Sequence, residues 1–254
     1  EGGISLSGSI TPSGNKNEAL PVISATLLAK EPVTLHNLPD ILDIAIMRDL
    51  LVSLGVEVKQ IDKHTFSFDS SHLQSTVPDS EQAKQIRGSF LLAGPLLARK
   101  NSIDLPAPGG DRIGLRPVHT HLLALEKLGA KISLDKKGLY KMRTAGLKGT
   151  DIYLDEASVM ATENAVMAAV TAQGKSSIYN AACEPHVQGL CHFLVKLGAK
   201  IEGIGSNLLI IEGVKSLAGA DYTIQPDHTE VGSFIGLAAV TRSELRIKNA
   251  GVKY

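Results

Sequence analysis

A chain of 254 residues with 43% apolar residues is long enough for two domains, each with a buried core. Its 26 basic side chains (Lys and Arg) balance its 26 acidic ones (Asp and Glu), which argues against a general nucleic-acid binder with its excess of positive charge. Two cysteines without metal-ligand spacing predict neither a disulfide framework nor a zinc site, and no apolar run reaches the ~18 residues that span a bilayer. We therefore expect a reducing, cytoplasmic setting and no nucleic-acid or membrane partner.

The elements recur along the chain as a repeated unit. Each unit begins with a helical pattern, at residues 17–30, 89–100 and 162–173, and a short strand follows, at 33–35, 102–105 and 176–179. A second, amphipathic helix then ends in Leu-Gly before an alternating strand, in the similar segments 51–58, 125–132 and 194–201. Closing strands are predicted at 139–142 and 208–211. The sequence thus predicts an α/β fold of three repeats.

A fourth repeat begins but is not completed in this sequence. Residues 230–241 predict its first helix and 245–248 its strand, and the sequence ends at Tyr254 before a second helix. Because a repeat buries its apolar face against its neighbours, we expect this sequence to be part of a longer protein. Turn signals at 12–14 and a proline at 226 predict the domain crossings. We expect a first domain of three repeats at 16–215 and a discontinuous second domain at 1–15 plus 216–254.

Residues 106–119 form the most unusual stretch of the chain. Glycines and prolines crowd this segment and exclude a regular helix or strand, and Asp111, Arg112 and Arg116 lie within it. A loop that carries one carboxylate and two guanidinium groups suits a lid over an anionic substrate. A solvated surface loop with a chance salt pair is an equally simple explanation. His119 and His121 flank the loop and are expected to be polar surface residues rather than a metal pair.

The other candidate residues lie where helices begin. Lys16 with Asn17, Arg87 and Ser158 each precede or open the first helix of a repeat, and Glu230 does so in the fourth. Helix N-termini attract anions, although a capped surface helix or a local salt bridge accounts for each residue alone. If the repeats are related by rotation, these helix starts converge on one electropositive face. Glu184, after the third short strand, would add a carboxylate at the same end.

Six segments in sequence order carry a family resemblance: 13–21, 87–89, 109–117, 158–164, 180–185 and 226–230. Together they resemble the enolpyruvyl transferase family, and within it the enzymes that act on UDP-N-acetylglucosamine. The resemblance implies an inside-out α/β barrel of βαβαββ-type units in two domains, with no metal or organic cofactor. It also implies transfer of the enolpyruvyl group of phosphoenolpyruvate to the 3′-hydroxyl of UDP-N-acetylglucosamine with release of phosphate, the first committed step of peptidoglycan synthesis.

The resemblance assigns roles to individual residues. Catalytic roles are implied for Asp111, Lys16 and Arg116, with Asp111 at the proton-donor position of the loop, where many members have cysteine. An aspartate can serve there if a closed, anionic site raises its pKa, and members with aspartate are insensitive to the thiol-alkylating inhibitor fosfomycin. The expected substrate contacts are Lys16, Asn17, Arg87, Arg116, Pro117, Val118, His119, Thr120, Glu156, Ala157, Ser158, Val159 and Glu184.

The sequence departs from the family pattern at four positions of the nucleotide region and its surroundings. Glu156 stands where some members have a basic residue, His119 replaces an acidic residue, Met160 replaces a glycine, and Cys183 replaces a frequent arginine. Two other functions stay open: the shikimate-pathway enolpyruvyl transferase, 3-phosphoshikimate 1-carboxyvinyltransferase, and a truncated, non-catalytic UDP-sugar-binding protein. Asn17 after Lys16 and the loop around Asp111 favour the nucleotide-sugar enzyme.

Overall fold

The structure is a computed structural model that describes residues 3–110, 114 and 117–251. The chain begins with strand β1 (Ser7–Ile10). The first repeat contains α1 (Lys16–Ala25), β2 (Val33–His36), α2 (Leu42–Ser53), β3 (Glu57–Asp62) and β4 (Thr65–Asp69). The second contains α3 (Ser80–Ala83), α4 (Ala93–Lys100), β5 (Ser102–Pro106), α5 (His119–Lys127), β6 (Lys131–Leu134) and β7 (Leu139–Arg143).

The third repeat is the most regular of the three. It contains β8 (Asp151–Tyr153), α6 (Val159–Ala169), β9 (Lys175–Tyr179), α7 (Pro185–Lys196), β10 (Lys200–Glu202) and β11 (Leu208–Glu212). Then follow β12 (Asp221–Thr223), α8 (His228–Thr241) and β13 (Glu244–Ile247). The predicted succession of helices and strands is therefore confirmed in all three repeats, and the leading strand that completes the βαβαββ unit is β8.

The three repeats form three small sheets that share an antiparallel arrangement of three strands. Their strand orders are β12-β2-β4-β3, β5-β7-β6 and β8-β9-β11-β10. In the third sheet β8 lies parallel to β9, and in the first sheet β12 lies parallel to β2. The first sheet is thus completed by a strand that follows the third repeat, which ties the beginning of the repeat array to its end. Strand β12 belongs to the part of the chain assigned to the second domain, and the domain division stays a prediction.

Helix ends differ from the sequence predictions in a few places. The helix expected at 17–30 ends at Ala25 and continues as the 3₁₀ turn Thr26–Leu28. The helix expected at 89–100 is the 3₁₀ segment Arg87–Leu92 followed by α4, because Pro95 lacks an N–H and is accommodated in a first turn. The Leu-Gly ends are as predicted, since Gly55, Gly129 and Gly198 have φ of +96°, +102° and +106°.

The core lies around the first helix of each repeat. Residues 18–25 of α1 and 161–169 of α6 are buried on every side, so these helices run inside the protein rather than on its surface. Helix α6 packs against α4, α5 and α7, and α1 packs against α2 and α7. Helix α8 differs: none of its residues is buried, and it exposes Ile235, Leu237 and Val240. In the described part of the chain, no helix is long and apolar enough to cross a membrane.

Candidate active site

A cavity of about 420 Å³ lies where the inner helices begin. This volume is within the range of small-molecule sites. Its walls come from the starts of α1, α2, α6 and α7, from the 3₁₀ segment and from the Gly-rich loop. The lining residues are Lys16, Asn17, Leu20, Pro21, Asp43, Ile86, Arg87, Gly88, Leu91, Gly110, Val159, Met160, Glu163 and His186. Cationic and apolar side chains thus share one concave surface.

Lys16 is placed on the cavity by the cap of α1. The side-chain Oδ1 of Asn15 accepts hydrogen bonds from the backbone N–H groups of Asn17 and Glu18, at 2.8 and 3.2 Å, and so begins the helix at Lys16. The Lys16 ammonium lies 3.1 Å from Oδ1 of Asp43 in the first turn of α2. Both side chains remain partly exposed, at 43% and 33%, so the ammonium is accessible to a ligand from the cavity.

Arg87 connects the 3₁₀ segment to the far end of the Gly-rich loop. It is the first residue of that segment, and its Nη2 donates a hydrogen bond to the carbonyl oxygen of Pro117 at 3.2 Å. Val118 follows as the residue that precedes α5, and it is buried. This bond holds the chain just before α5 against the cavity wall. The guanidinium therefore both lines the cavity and positions the segment that follows the loop.

The near end of the loop approaches the protein through glycine. A Cβ on Gly109 would lie 1.4 Å from the carbonyl oxygen of Lys84, so only glycine fits this contact. Gly110 has φ of +88° and lines the cavity. The loop therefore enters the site directly at the position before Asp111. Asp111 and Arg116 themselves lie outside the described residues.

The start of α6 contributes another part of the cavity wall. Ser158 caps this helix, with its Oγ accepting from the N–H of Ala161 at 3.4 Å, while Val159 and Met160 line the cavity. The bulkier Met160, where the family pattern has glycine, is thus part of the wall. Glu156 and Ala157 are exposed beside it and are not among the lining residues.

A carboxylate links α5 to the turn before α6. Asp155 accepts a hydrogen bond from the Thr120 hydroxyl at 2.7 Å, and its other oxygen lies 2.8 Å from Nε2 of His119. The Thr120 hydrogen bond, with a contribution from His119, lowers the pKa of Asp155. The carboxylate is therefore ionised at neutral pH, and it holds together two segments that were both expected to contact the nucleotide.

His121 was expected on the surface, and the structure corrects this. It is 2% exposed, stacks edge-on against Phe90 and has its Nδ1 2.9 Å from Nδ2 of Asn164. Burial, with the nearby positive charge of Arg87, lowers its pKa to about 3. The imidazole is therefore neutral, and its Nδ1 accepts the hydrogen bond from the amide. The three consecutive polar residues at the start of α5, residues 119–121, gave no sign of this buried contact.

Two cavity residues escaped the sequence analysis. Glu163, in the second turn of α6, is 1% exposed, and its Oε1 has no hydrogen-bond partner among the described residues. Burial, with the nearby charge of Glu184, raises its pKa well above the ordinary value. His186, near the start of α7, is 7% exposed, its Nδ1 is likewise unpartnered within the described ranges, and burial lowers its pKa. Glu163 lies within one of the six family segments, but a carboxylate inside an apolar helix gave no recognisable signal.

The structure brings together four of the predicted contact residues on the cavity wall: Lys16, Asn17, Arg87 and Val159. Pro117, Val118, His119, Thr120 and Ser158 lie in segments adjoining it, whereas Glu184 is exposed and does not line it. The expected convergence of helix starts is seen for three repeats. In the fourth, His228 at the start of α8 stacks on the cavity residue His186, but Glu230 does not line the cavity. Glu230 instead accepts hydrogen bonds from the backbone N–H and hydroxyl of Ser13, at 2.7 and 2.8 Å.

The arrangement suits a small anion next to an uncharged polar group. An ammonium and a guanidinium face one cavity at helix starts, where partial positive charge also favours negative ligands. Asp43 offsets part of this charge. Among the described residues, no group of three or more His, Cys, Asp or Glu side chains is placed to hold a metal ion.

The chain is similar to a known family and to named relatives. The sequence profile of the family described as "EPSP synthase (3-phosphoshikimate 1-carboxyvinyltransferase)" matches residues 1–254. A relative from Bradyrhizobium diazoefficiens, named UDP-N-acetylglucosamine 1-carboxyvinyltransferase, is 54% identical over 254 residues. A relative of the same name from Treponema denticola is 50% identical over 247 residues. These alignments cover 100% and 97% of this chain but 58% of each relative, so the chain spans well under two thirds of their length.

Solved structures have the same architecture. The enolpyruvyl transferase NikO from Streptomyces tendae superposes with a TM-score of 0.84 at 25% identity, over 97% of this chain and 58% of that one. EPSP synthase from Acinetobacter baumannii gives a TM-score of 0.77 at 20% identity, over 96% of this chain and 56% of that one. The second likeness, at this low identity, concerns the fold alone.

Proposed function

The chain belongs to the EPSP synthase (3-phosphoshikimate 1-carboxyvinyltransferase) family, and from this membership we propose that the protein is a UDP-N-acetylglucosamine enolpyruvyl transferase. It would transfer the enolpyruvyl group of phosphoenolpyruvate to the 3′-hydroxyl of UDP-N-acetylglucosamine and release phosphate. The names of the relatives at 54% and 50% identity support this acceptor. They favour it over 3-phosphoshikimate, which only the family description suggests. Because the chain spans 58% of these relatives, the proposal concerns the protein that contains this chain.

The observation that carries the proposal is that Lys16 and Arg87 line the same cavity. Phosphoenolpyruvate carries a carboxylate and a phosphate close together, and an ammonium with a guanidinium is a suitable pair of counter-charges. Asn17 adds a side-chain amide and lies at the positive end of α1. An anionic ligand would replace Asp43 as the partner of Lys16, and the Asp43 carboxylate, which is one third exposed, would then be solvated by water.

The proposed reaction proceeds by addition and elimination. The acceptor oxygen forms a bond to C2 of phosphoenolpyruvate and loses its proton, while C3 gains a proton and becomes a methyl group. The C2–O bond to phosphate then breaks, C3 returns a proton, and the products are the enolpyruvyl ether and phosphate. Asp111 is the proposed proton donor to C3, and Gly110, the residue before it, lines the cavity.

The remaining assignments are proposals for this site. Lys16, Arg87 and Arg116 would neutralise the phosphate as it departs. The nucleotide would lie along Pro117, Val118, His119 and Thr120 and along residues 156–159. The Asp155 contacts with Thr120 and His119 support this placement, because they hold the two segments side by side. Glu184, which is exposed and does not line the cavity, would contact the substrate from outside it. No cofactor is required by this chemistry.

The setting and the domain organisation are proposed on independent grounds. Cys183 and Cys191 are both free thiols, which fits a reducing compartment such as the cytoplasm. We keep the domain division proposed above, with three repeats at 16–215 and a second, discontinuous domain at 1–15 plus 216–254. The exposed apolar side of α8 supports a second domain with its own core.

The test is phosphate release from phosphoenolpyruvate by the protein made from its complete gene, with and without UDP-N-acetylglucosamine. Release should require the nucleotide sugar, and shikimate 3-phosphate should not replace it. Lys16→Met should lower kcat/KM for phosphoenolpyruvate roughly 10- to 100-fold, because a charge-assisted contact is lost. Lys63→Met is the matched control, since Lys63 only pairs with Asp40 on the surface at 3.5 Å.

Each outcome of this test has a definite meaning. No release by a folded protein that still binds UDP-N-acetylglucosamine would favour the non-catalytic binding protein. Release with shikimate 3-phosphate alone would move the protein to the other branch of the family. Equal kcat/KM values for the Lys16 and Lys63 variants would refute the role of Lys16.

A further inference from the structure

Two residues that line the cavity, Glu163 and His186, each have a buried polar atom without a partner in the part of the chain that the structure describes. Oε1 of Glu163 and Nδ1 of His186 are both inaccessible to solvent and form no hydrogen bond within the described ranges. The two side chains come from different helices, α6 and α7, and line the same cavity as Lys16 and Arg87. Leaving a buried donor or acceptor unpaired typically costs ~1–3 kcal/mol. Two such atoms at one cavity indicate a place where a ligand supplies the missing hydrogen bonds.

The chemistry of the pair is that of neutral groups. Burial raises the pKa of Glu163 well above its usual value and lowers the pKa of His186, so burial favours the uncharged form of both groups. Each then offers a donor and an acceptor. This differs from the wall at Lys16 and Arg87, which is cationic. The cavity is therefore divided into a charged part and an uncharged polar part.

The uncharged polar part of the cavity does not match phosphoenolpyruvate, because the carboxylate and phosphate of this substrate are anionic at neutral pH. The diphosphate of the nucleotide is anionic as well. A sugar, in contrast, carries hydroxyl and acetamido groups that both donate and accept hydrogen bonds. The sugar must also meet phosphoenolpyruvate in the cavity lined by Lys16 and Arg87, whereas the uracil has no such requirement.

We propose that Glu163 and His186 form a sugar subsite, in which they hydrogen-bond an uncharged hydroxyl or acetamido group of the acceptor. The two residues are specificity-determining and take no part in proton transfer to the reacting atoms. This inference depends on the proposed function, because it takes the acceptor to be a nucleotide sugar.

The test compares the dissociation constants of UDP-N-acetylglucosamine and of UDP by calorimetry, on the protein from its complete gene. Glu163→Met, which keeps the volume but no hydrogen-bonding group, should weaken UDP-N-acetylglucosamine binding roughly tenfold or more and leave UDP binding unchanged. Glu163→Gln, which keeps a neutral donor and acceptor, should stay within about threefold of the parent. His186→Phe keeps the ring that stacks on His228 and should resemble Glu163→Met.

Ser176→Ala is the matched control, because the Ser176 hydroxyl is also buried and unpartnered within the described residues but lies outside this cavity. It should change neither dissociation constant. Thermal unfolding should show Glu163→Met at least as stable as the parent, since a buried carboxyl group without a partner is removed. A fall in stability would instead mean that Glu163 has a structural role and would overturn the proposal.

The binding results separate the two proposals. Equal losses for UDP and UDP-N-acetylglucosamine in Glu163→Met would place the pair at the uridine or diphosphate and refute the sugar subsite. Unchanged binding of both would also refute it while leaving the transferase intact. A parent protein that binds neither UDP-N-acetylglucosamine nor phosphoenolpyruvate would refute the proposed function, and the subsite with it.

Discussion

Replacement of Asn164 by alanine should lower the free energy of unfolding by about 3 to 5 kcal/mol. This amide is fully buried in α6 and joins three elements around the site. Its Oδ1 accepts from the N–H of Gly94 at 2.8 Å, and its Nδ2 donates to the carbonyl oxygen of Phe90 at 2.9 Å. The same Nδ2 lies 2.9 Å from Nδ1 of His121. One side chain thus satisfies one donor and two acceptors inside the core.

The expected magnitude follows from what the truncation leaves behind. Three hydrogen bonds at ~1 kcal/mol each account for about 3 kcal/mol. The N–H of Gly94 and Nδ1 of His121 would remain buried without partners, which adds up to about 2 kcal/mol unless water enters. A total of this size is a large fraction of the ~5–15 kcal/mol that stabilises a typical domain.

The measurement is urea unfolding followed by far-ultraviolet circular dichroism, since the chain has no tryptophan. Ser70→Ala is the comparison, because the buried Ser70 hydroxyl donates one hydrogen bond, to the carbonyl oxygen of Thr26 at 3.1 Å. It should cost about 1 kcal/mol. If Asn164→Ala costs no more than Ser70→Ala, the three contacts do not act together as described.

Two further predictions concern ionisation and reactivity. Burial raises the pKa of Glu18 to about 7, although hydrogen bonds from Tyr222 and Gln225 oppose this. Its pKa in the unfolded chain is near 4.5, so the folded state binds more protons between these values, and the free energy of unfolding should fall by about 3 kcal/mol as pH rises from 4.5 to 7. Urea titrations across this range should find the fall in the parent and much less of it in Glu18→Gln; parallel curves would contradict the shift. Fosfomycin should cause no time-dependent loss of activity with Asp111 in the loop, whereas Asp111→Cys should be inactivated. Inactivation of the parent would refute this prediction. A resistant cysteine variant would show that the thiol does not lie at the proton-donor position.

The repeats and helix starts could be predicted from sequence because their signals are local. The glycine of each Leu-Gly helix end adopts a positive φ in all three repeats. Asn15 and Ser158 cap their helices through contacts with residues two or three positions away. Lys16 and Arg87 were therefore placed correctly at helix starts. The same reasoning was wrong for Glu230, because its carboxylate accepts hydrogen bonds from Ser13 and does not line the cavity.

The tertiary structure decided the features that depend on distant packing. His121 appeared as a surface histidine in sequence, yet the approach of Phe90 and Asn164 buries it. Strand β12 follows the third repeat but completes the first sheet, a pairing that no local pattern encodes. The sequence by itself determined the repeated unit, the family and the cationic residues, because these follow from periodicity and short motifs. Only the packing of α6 and α7 beside α1 turned Glu163 and His186 into cavity residues, because burial and the absence of partners are properties of the assembled core.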